Sequence, residues 1–128
     1  MKDPLVFFDL YARAFEDGDV EAVTDFFALP ALFTRAGVPE EVHTTEALAL
    51  SVSELLAAHA ERDVARIRPA GVTVLEEAEA HTVVRVDWSL ERHGEAGEPP
   101  PPPWRYATTY VLLPTGHIAA ALTHGSPF

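Results

Sequence analysis

Apolar residues recur at three- and four-residue steps through the first half of the chain and at two-residue steps through the second. Asp3-Pro4 opens the first helix, because Asp caps free amides and Pro at the first helical position leaves no amide unpaired. Phe7, Leu10, Tyr11, Ala14 and Phe15 then form one apolar face, and Gly18 ends it. Asp19 caps a second helix expected over Val20–Ala28, with Val23, Phe26 and Phe27 on its apolar side and Pro30 as its stop. Ala31–Thr34 is expected as a short strand and Arg35–His43 as a loop. A third helix is expected from Thr44 or Thr45 to about Arg62, with Leu48, Val52, Leu55, Leu56 and His59 in its stripe.

From Val64 onward the period is two. Val64–Arg68 and Val72–Leu75 are expected strands, with a turn at Glu77–Ala80. Thr82, Val84, Val86, Trp88 and Leu90 alternate with Val83, Arg85, Asp87, Ser89 and Glu91, the signature of a strand buried on one face. His93–Pro103, including the five-proline run Pro99–Pro103, is a stiff loop. Trp104–Leu113 and His117–His124 are strands joined by a tight turn at Pro114–Gly116. A two-residue turn there pairs Ile118, Ala120, Leu122 and His124 with Leu113, Val111, Thr109 and Ala107. Tyr106 and Tyr110 then face away from that set, toward a partner subunit; a one-residue slip reverses the assignment. Helices followed by hairpin-connected strands mean an α+β fold with helices on one face of an antiparallel sheet.

Composition narrows the function classes. At 128 residues the chain has the length of one domain, expected over 1–128. Its 20 acidic against 9 basic residues give a net charge of -11, which repels a phosphate backbone, so no nucleic acid is expected as a partner. The absence of cysteine excludes disulfides, thiolate metal sites and cysteine nucleophiles. No apolar run is long enough to cross a bilayer, and the Met1-Lys2-Asp3-Pro4 start does not resemble a signal peptide. A cytoplasmic protein without membrane contact is expected.

Three segments, YARAFEDGDVEAVTDFFALPALF (11–33), TEALALSVSELLAAH (45–59) and ATTYVLLPTGHIAAALTH (107–124), together with the Trp88 strand, resemble in order the SnoaL-like and ketosteroid-isomerase-like branch of the nuclear-transport-factor-2-like superfamily. The resemblance implies a cone of helices packed into a strongly curved, mostly antiparallel sheet, a mostly apolar pocket, and homodimers packed through the sheet. Members include isomerases, dehydratases, cyclases, epoxide hydrolases and non-catalytic modules, so the fold leaves function open.

The resemblance places a Tyr donor at Tyr11. The isomerase general base would fall near Phe33-Thr34-Arg35-Ala36, where no carboxylate occurs before Glu40, and the cyclase acid/base Asp would fall at Thr123. His124 is the available substitute base, since a neutral imidazole abstracts protons near pH 7. The catalytic candidates are therefore Tyr11 and His124. The expected ligand-contacting set is Phe7, Tyr11, Phe15, Phe33, His59, Trp88 and His124. Arg85 and Asp87 belong on the wet face of their strand. His43, His59, His81, His93, His117 and His124 lack metal-ligand spacing, and no nucleotide-binding glycine motif is present; neither metal nor cofactor is expected. Two readings follow: a protein that holds a small apolar ligand in the cone, and a cofactor-independent cyclase, dehydratase or isomerase using Tyr11 and His124.

Overall fold

The computed structural model describes residues 3–35 and 37–125, with Arg35 as backbone only. The Met1-Lys2 start and Ala36 lie outside the described residues. Three helices, α1 (Pro4–Glu16), α2 (Val20–Asp25) and α3 (Thr45–Glu61), accompany six strands: β1 (Phe27–Arg35), β2 (Val38–Val42), β3 (Val64–Glu77), β4 (Thr82–Arg92), β5 (Trp104–Leu112) and β6 (Ile118–His124). The sheet order is β2-β1-β6-β5-β4-β3. Among the described residues only β1 and β6 run parallel; the other neighbours are antiparallel. This is the curved α+β cone anticipated above.

The helix starts are set by side-chain caps. The Asp3 carboxylate accepts from Leu5 N, Asp19 from Ala22 N, and the Thr44 hydroxyl from Ala47 N at 3.1 Å, each satisfying an amide that has no partner within its helix. Gly18 takes φ +66° between α1 and α2, a conformation that glycine adopts without a Cβ penalty. The Glu16 carboxylate then accepts from Ile67 N at 2.6 Å, tying the end of α1 to β3.

Three expectations need correction. The second helix stops at Asp25 instead of Ala28, and Phe27–Pro30 already belong to β1. Phe26 closes α2, its amide bonding the carbonyl of Val23, and its own carbonyl accepts from Ile118 N at 2.8 Å. The pull of β6 on this segment outweighs its helical periodicity. The expected loop at Arg35–His43 contains β2, an edge strand whose polar, proline-bearing sequence conceals it. Val42 is its one buried residue. Such sequences suit edges, because Pro cannot donate to a ladder and charges deter further pairing.

The expected strands at Val64–Arg68 and Val72–Leu75 are parts of one 14-residue strand, β3, whose register against β4 shifts at Val64/Arg66, Pro69/Gly71 and Val74/Glu76. Bulges of this kind bend a sheet and increase its twist. The core gathers Phe8, Tyr11 and Val23 from the helices with Val84, Val86, Trp88 and Leu90 of β4 and Tyr110, Leu112 and Ile118 beyond it.

Candidate functional site

The alternation of β4 determines what the cone encloses. Val84, Val86, Trp88 and Leu90 point inward, all at or below 4% exposure. Their antiparallel partners on β5 are Tyr110, Thr108, Tyr106 and Trp104, and directly opposed residues share a face. On β6, Tyr110 and Thr108 oppose Ala121 and Thr123. The inner face therefore carries Trp88, two tyrosines, two threonines and small residues. Tyr106 and Tyr110 do lie opposite to Ala120, Leu122 and His124, but on the inner side. Their expected orientation toward a partner subunit is corrected: Tyr110 is 3% exposed and its ring sits 4.6 Å from that of Phe8. At the far end of the hairpin, Ile118 pairs with Leu112 and not Leu113, because the register shifts after Val111.

Between this face and α3 lies a cavity of about 320 Å³. Its walls include Phe15 and Tyr11 of α1, Phe27 and Phe33 of β1, and Leu48, Val52, Leu55 and Ala58 of α3. Of the expected contact residues, Tyr11, Phe15, Phe33, His59 and Trp88 line it. Phe7 does not; it packs edge-on against Phe8 and Phe26 and borders a separate surface groove beside the β3–β4 and β5–β6 turns. His124 does not either. It pairs with Ala107 on the outer face and is exposed, so Tyr11 and His124 do not meet, and the donor–base pair built from them is corrected. The residue that β6 presents inward is its neighbour, Thr123.

The cavity floor is a connected set of hydroxyls. The Trp88 indole N–H donates to the Tyr110 oxygen at 3.1 Å. The Tyr11 hydroxyl also bonds to that oxygen, and Thr108 hydrogen-bonds with Tyr110 in turn. The Thr108 and Thr123 hydroxyls are 3.0 Å apart, and Thr123 N donates to the Thr34 hydroxyl at 2.8 Å. Burial, followed by the proximity of Tyr110, lifts the Tyr11 pKa well above its ordinary value. Burial likewise pushes Tyr110 up to about 12, despite the hydrogen bonds from Trp88, Thr108 and Tyr11 that favour its anion. Tyr106 is raised too, by burial and then by Tyr110. All three phenols are neutral donors at pH 7.

His59 is 7% exposed on α3, its ring 6.1 Å from that of Phe15. Burial and then the Arg62 charge lower its pKa to about 4, so it is an uncharged imidazole at neutral pH. Ser51 and Glu54 of α3 also line the cavity. Glu54 is a carboxylate that the sequence reading missed; it lies on the exposed side of α3 and not at the family base positions. Neither Lys nor Arg lines the cavity among the described residues. Arg85 and Asp87 pair on the outer face, Arg85 donating from Nε and Nη2 to Asp87 Oδ1 at 3.2 and 3.0 Å. Among the described residues no three His, Asp or Glu side chains cluster as metal ligands would, and no helix is long and apolar enough to cross a membrane.

No family model and no curated protein matches this sequence. Solved structures do. A Sinorhizobium meliloti protein provisionally named a polyketide cyclase superposes with a TM-score of 0.61 at 15% identity, covering 93% of this chain and 94% of its own. A Catenulispora acidiphila protein of ketosteroid-isomerase-like fold, solved with trimethylamine, gives 0.56 at 14% identity, covering 94% and 85%. A de novo designed protein with a curved β-sheet gives 0.66 at 16% identity, covering 95% and 84%. At these identities the likeness establishes the fold: the nuclear-transport-factor-2-like cone that SnoaL-like and ketosteroid-isomerase-like proteins share.

Proposed function

We propose that the protein holds a small, mostly apolar molecule inside the cone and does not transform it. One observation carries this reading: a cavity of about 320 Å³ has aromatic and aliphatic walls, while the polar groups on its floor are neutral hydroxyls. A pocket of that size and character is typical of small-ligand sites. The acid–base chemistry of the enzymatic relatives lacks its agents at the family positions and on the floor; the lining carboxylate, Glu54, stands on the exposed side of α3. Phenols with raised pKa values donate hydrogen bonds but do not abstract protons, and an imidazole with a pKa of about 4 is a weak base at pH 7. The neighbour solved with trimethylamine supports a cone that admits small organic molecules.

Native mass spectrometry on gently purified protein tests the reading. A low-polarity small molecule should leave with the protein and be displaced by added hydrophobic ligands. A chain that carries nothing and takes up no apolar dye would refute it.

The homodimer through the sheet belongs to the same proposal. Val83, Val111, Ala120 and Leu122 are only partly covered on the outer face, a surface suited to a second copy. Light scattering should give twice the chain mass at micromolar concentration; a monomer there removes the proposal. A cytoplasmic location is proposed with it, in keeping with a chain free of cysteine.

A further inference from the structure

Three phenols stand close together on the cavity floor, and they are not equivalent. Tyr110 accepts from Trp88 and is bonded to Tyr11 and Thr108. The Tyr11 hydroxyl is committed to Tyr110. Tyr106 acts electrostatically on Tyr11 and is acted on by Tyr110, yet its hydroxyl has no hydrogen-bond partner among the described residues, while its side chain is half-buried and lines the cavity. That hydroxyl is not cut off from solvent and is free to donate to an acceptor that enters the cavity, with no existing bond to break.

We propose that Tyr106, and not Tyr11, is the residue that fixes a ligand in the cone, by donating to an acceptor atom on an uncharged, flat, mostly apolar molecule. This rests on the ligand-holding reading above and specifies its polar contact. The ligand is uncharged because, among the described residues, neither Lys nor Arg lines the cavity to meet an anion, and the floor offers a cation no carboxylate, Glu54 lying on the exposed side of α3. The raised pKa of each phenol reports the same resistance to added negative charge. Flatness follows from the surrounding rings, with Trp88 opposing Tyr106 directly across the β4–β5 ladder. One competing donor exists. Ser51, 8% exposed on α3 and also lining the cavity, has no hydrogen-bond partner among the described residues.

Two fluorescent probes on the full chain separate these possibilities. Prodan is a flat naphthalene with one ketone, and its emission moves to the red when that ketone accepts a hydrogen bond. N-phenylnaphthylamine has similar rings and no carbonyl. Both should bind the unaltered protein. Tyr106→Phe should weaken prodan by roughly three- to tenfold and shift its bound emission to the blue, leaving N-phenylnaphthylamine unchanged. Tyr11→Phe and Ser51→Ala should preserve the red-shifted emission.

Because the Tyr106 hydroxyl holds no other group, Tyr106→Phe should also melt at or above the temperature of the unaltered protein, whereas Tyr110→Phe should melt lower. If both dyes bind but prodan is indifferent to Tyr106→Phe, or responds instead to Ser51→Ala, the Tyr106 assignment is overturned and the ligand-holding reading stands. A melting loss in Tyr106→Phe equal to that of Tyr110→Phe overturns it as well. If neither dye binds, both fall together.

Discussion

At His59, burial and the neighbouring Arg62 charge both oppose protonation, holding the folded-state pKa at about 4 against the ordinary 6.5. Between those two values the unfolded chain takes up a proton that the folded chain refuses, so acid favours unfolding. The stabilisation of the neutral ring is complete above pH 6.5 and is lost as pH falls toward 4, by about 3 kcal/mol in total at most. Urea midpoints measured from pH 7 down to pH 5, above the range of ordinary carboxylates, should decline, and His59→Leu should flatten that decline. A parallel decline in both proteins would assign the acid sensitivity elsewhere. A second residue-scale prediction concerns Tyr110. Replacing it with Phe removes the acceptor of the Trp88 indole N–H inside an apolar core, which should lower urea stability by about 1–3 kcal/mol. Tyr11, Phe15, His59 and Trp88 were legible as cavity residues because each lies on an apolar stripe or alternation, and Phe33 because it falls in a segment that carries the family resemblance. Tyr106, Tyr110 and Thr123 were not, because a strand's inward face depends on its neighbour's register, and period two makes a single slip reverse every side chain. The signal lay in pairing Tyr106 and Tyr110 with the strongly alternating β4. That pairing also puts His124 outside.

Elements differ in how much of themselves they reveal. The helix starts were readable because Asp3, Asp19 and Thr44 each supply an oxygen to a nearby amide, a local interaction that needs nothing from the rest of the molecule. The end of α2 was not readable: Val23, Phe26 and Phe27 suit a helical face, but Phe27 opposes Ile118 in the sheet, a partner 91 positions away in sequence. With only six residues in α2, its cap carries much of its definition. Asp19→Ala should therefore cost about 1 kcal/mol in denaturant unfolding, with Asp19→Asn retaining most of the stability; an Ala variant as stable as the parent would show that tertiary contacts alone hold the segment. The proline loop obeys a different constraint. Arg92 donates from Nε and Nη2 to the Pro102 carbonyl at 3.1 and 2.7 Å and lies 4.5 Å over the Trp104 ring, so the loop is latched to the strands that it joins. A Cβ at Gly94 would stand 2.9 Å from Pro100 Cα, which backbone displacement alone can relieve.

For the whole molecule, a hollow interior is a cost that close-packed proteins avoid, since lining atoms without neighbours forfeit dispersion contacts. Sheet curvature keeps this space open: three shifts of register along β3 bend the sheet around a volume that three helices leave partly unfilled. If the space exists for a ligand and not for folding, filling it should stabilise the chain while abolishing uptake, the usual exchange between stability and a functional void. Ala58 of α3 lines the cavity on a helical segment, where Leu is nearly as good a helix former as Ala. Ala58→Leu should raise the urea midpoint, by about 1–2 kcal/mol of burial, and should prevent N-phenylnaphthylamine from binding at concentrations that saturate the parent. A variant that loses stability would show that α3 already packs too closely to admit another side chain. One that gains stability and still binds the dye would place the ligand site outside the cone.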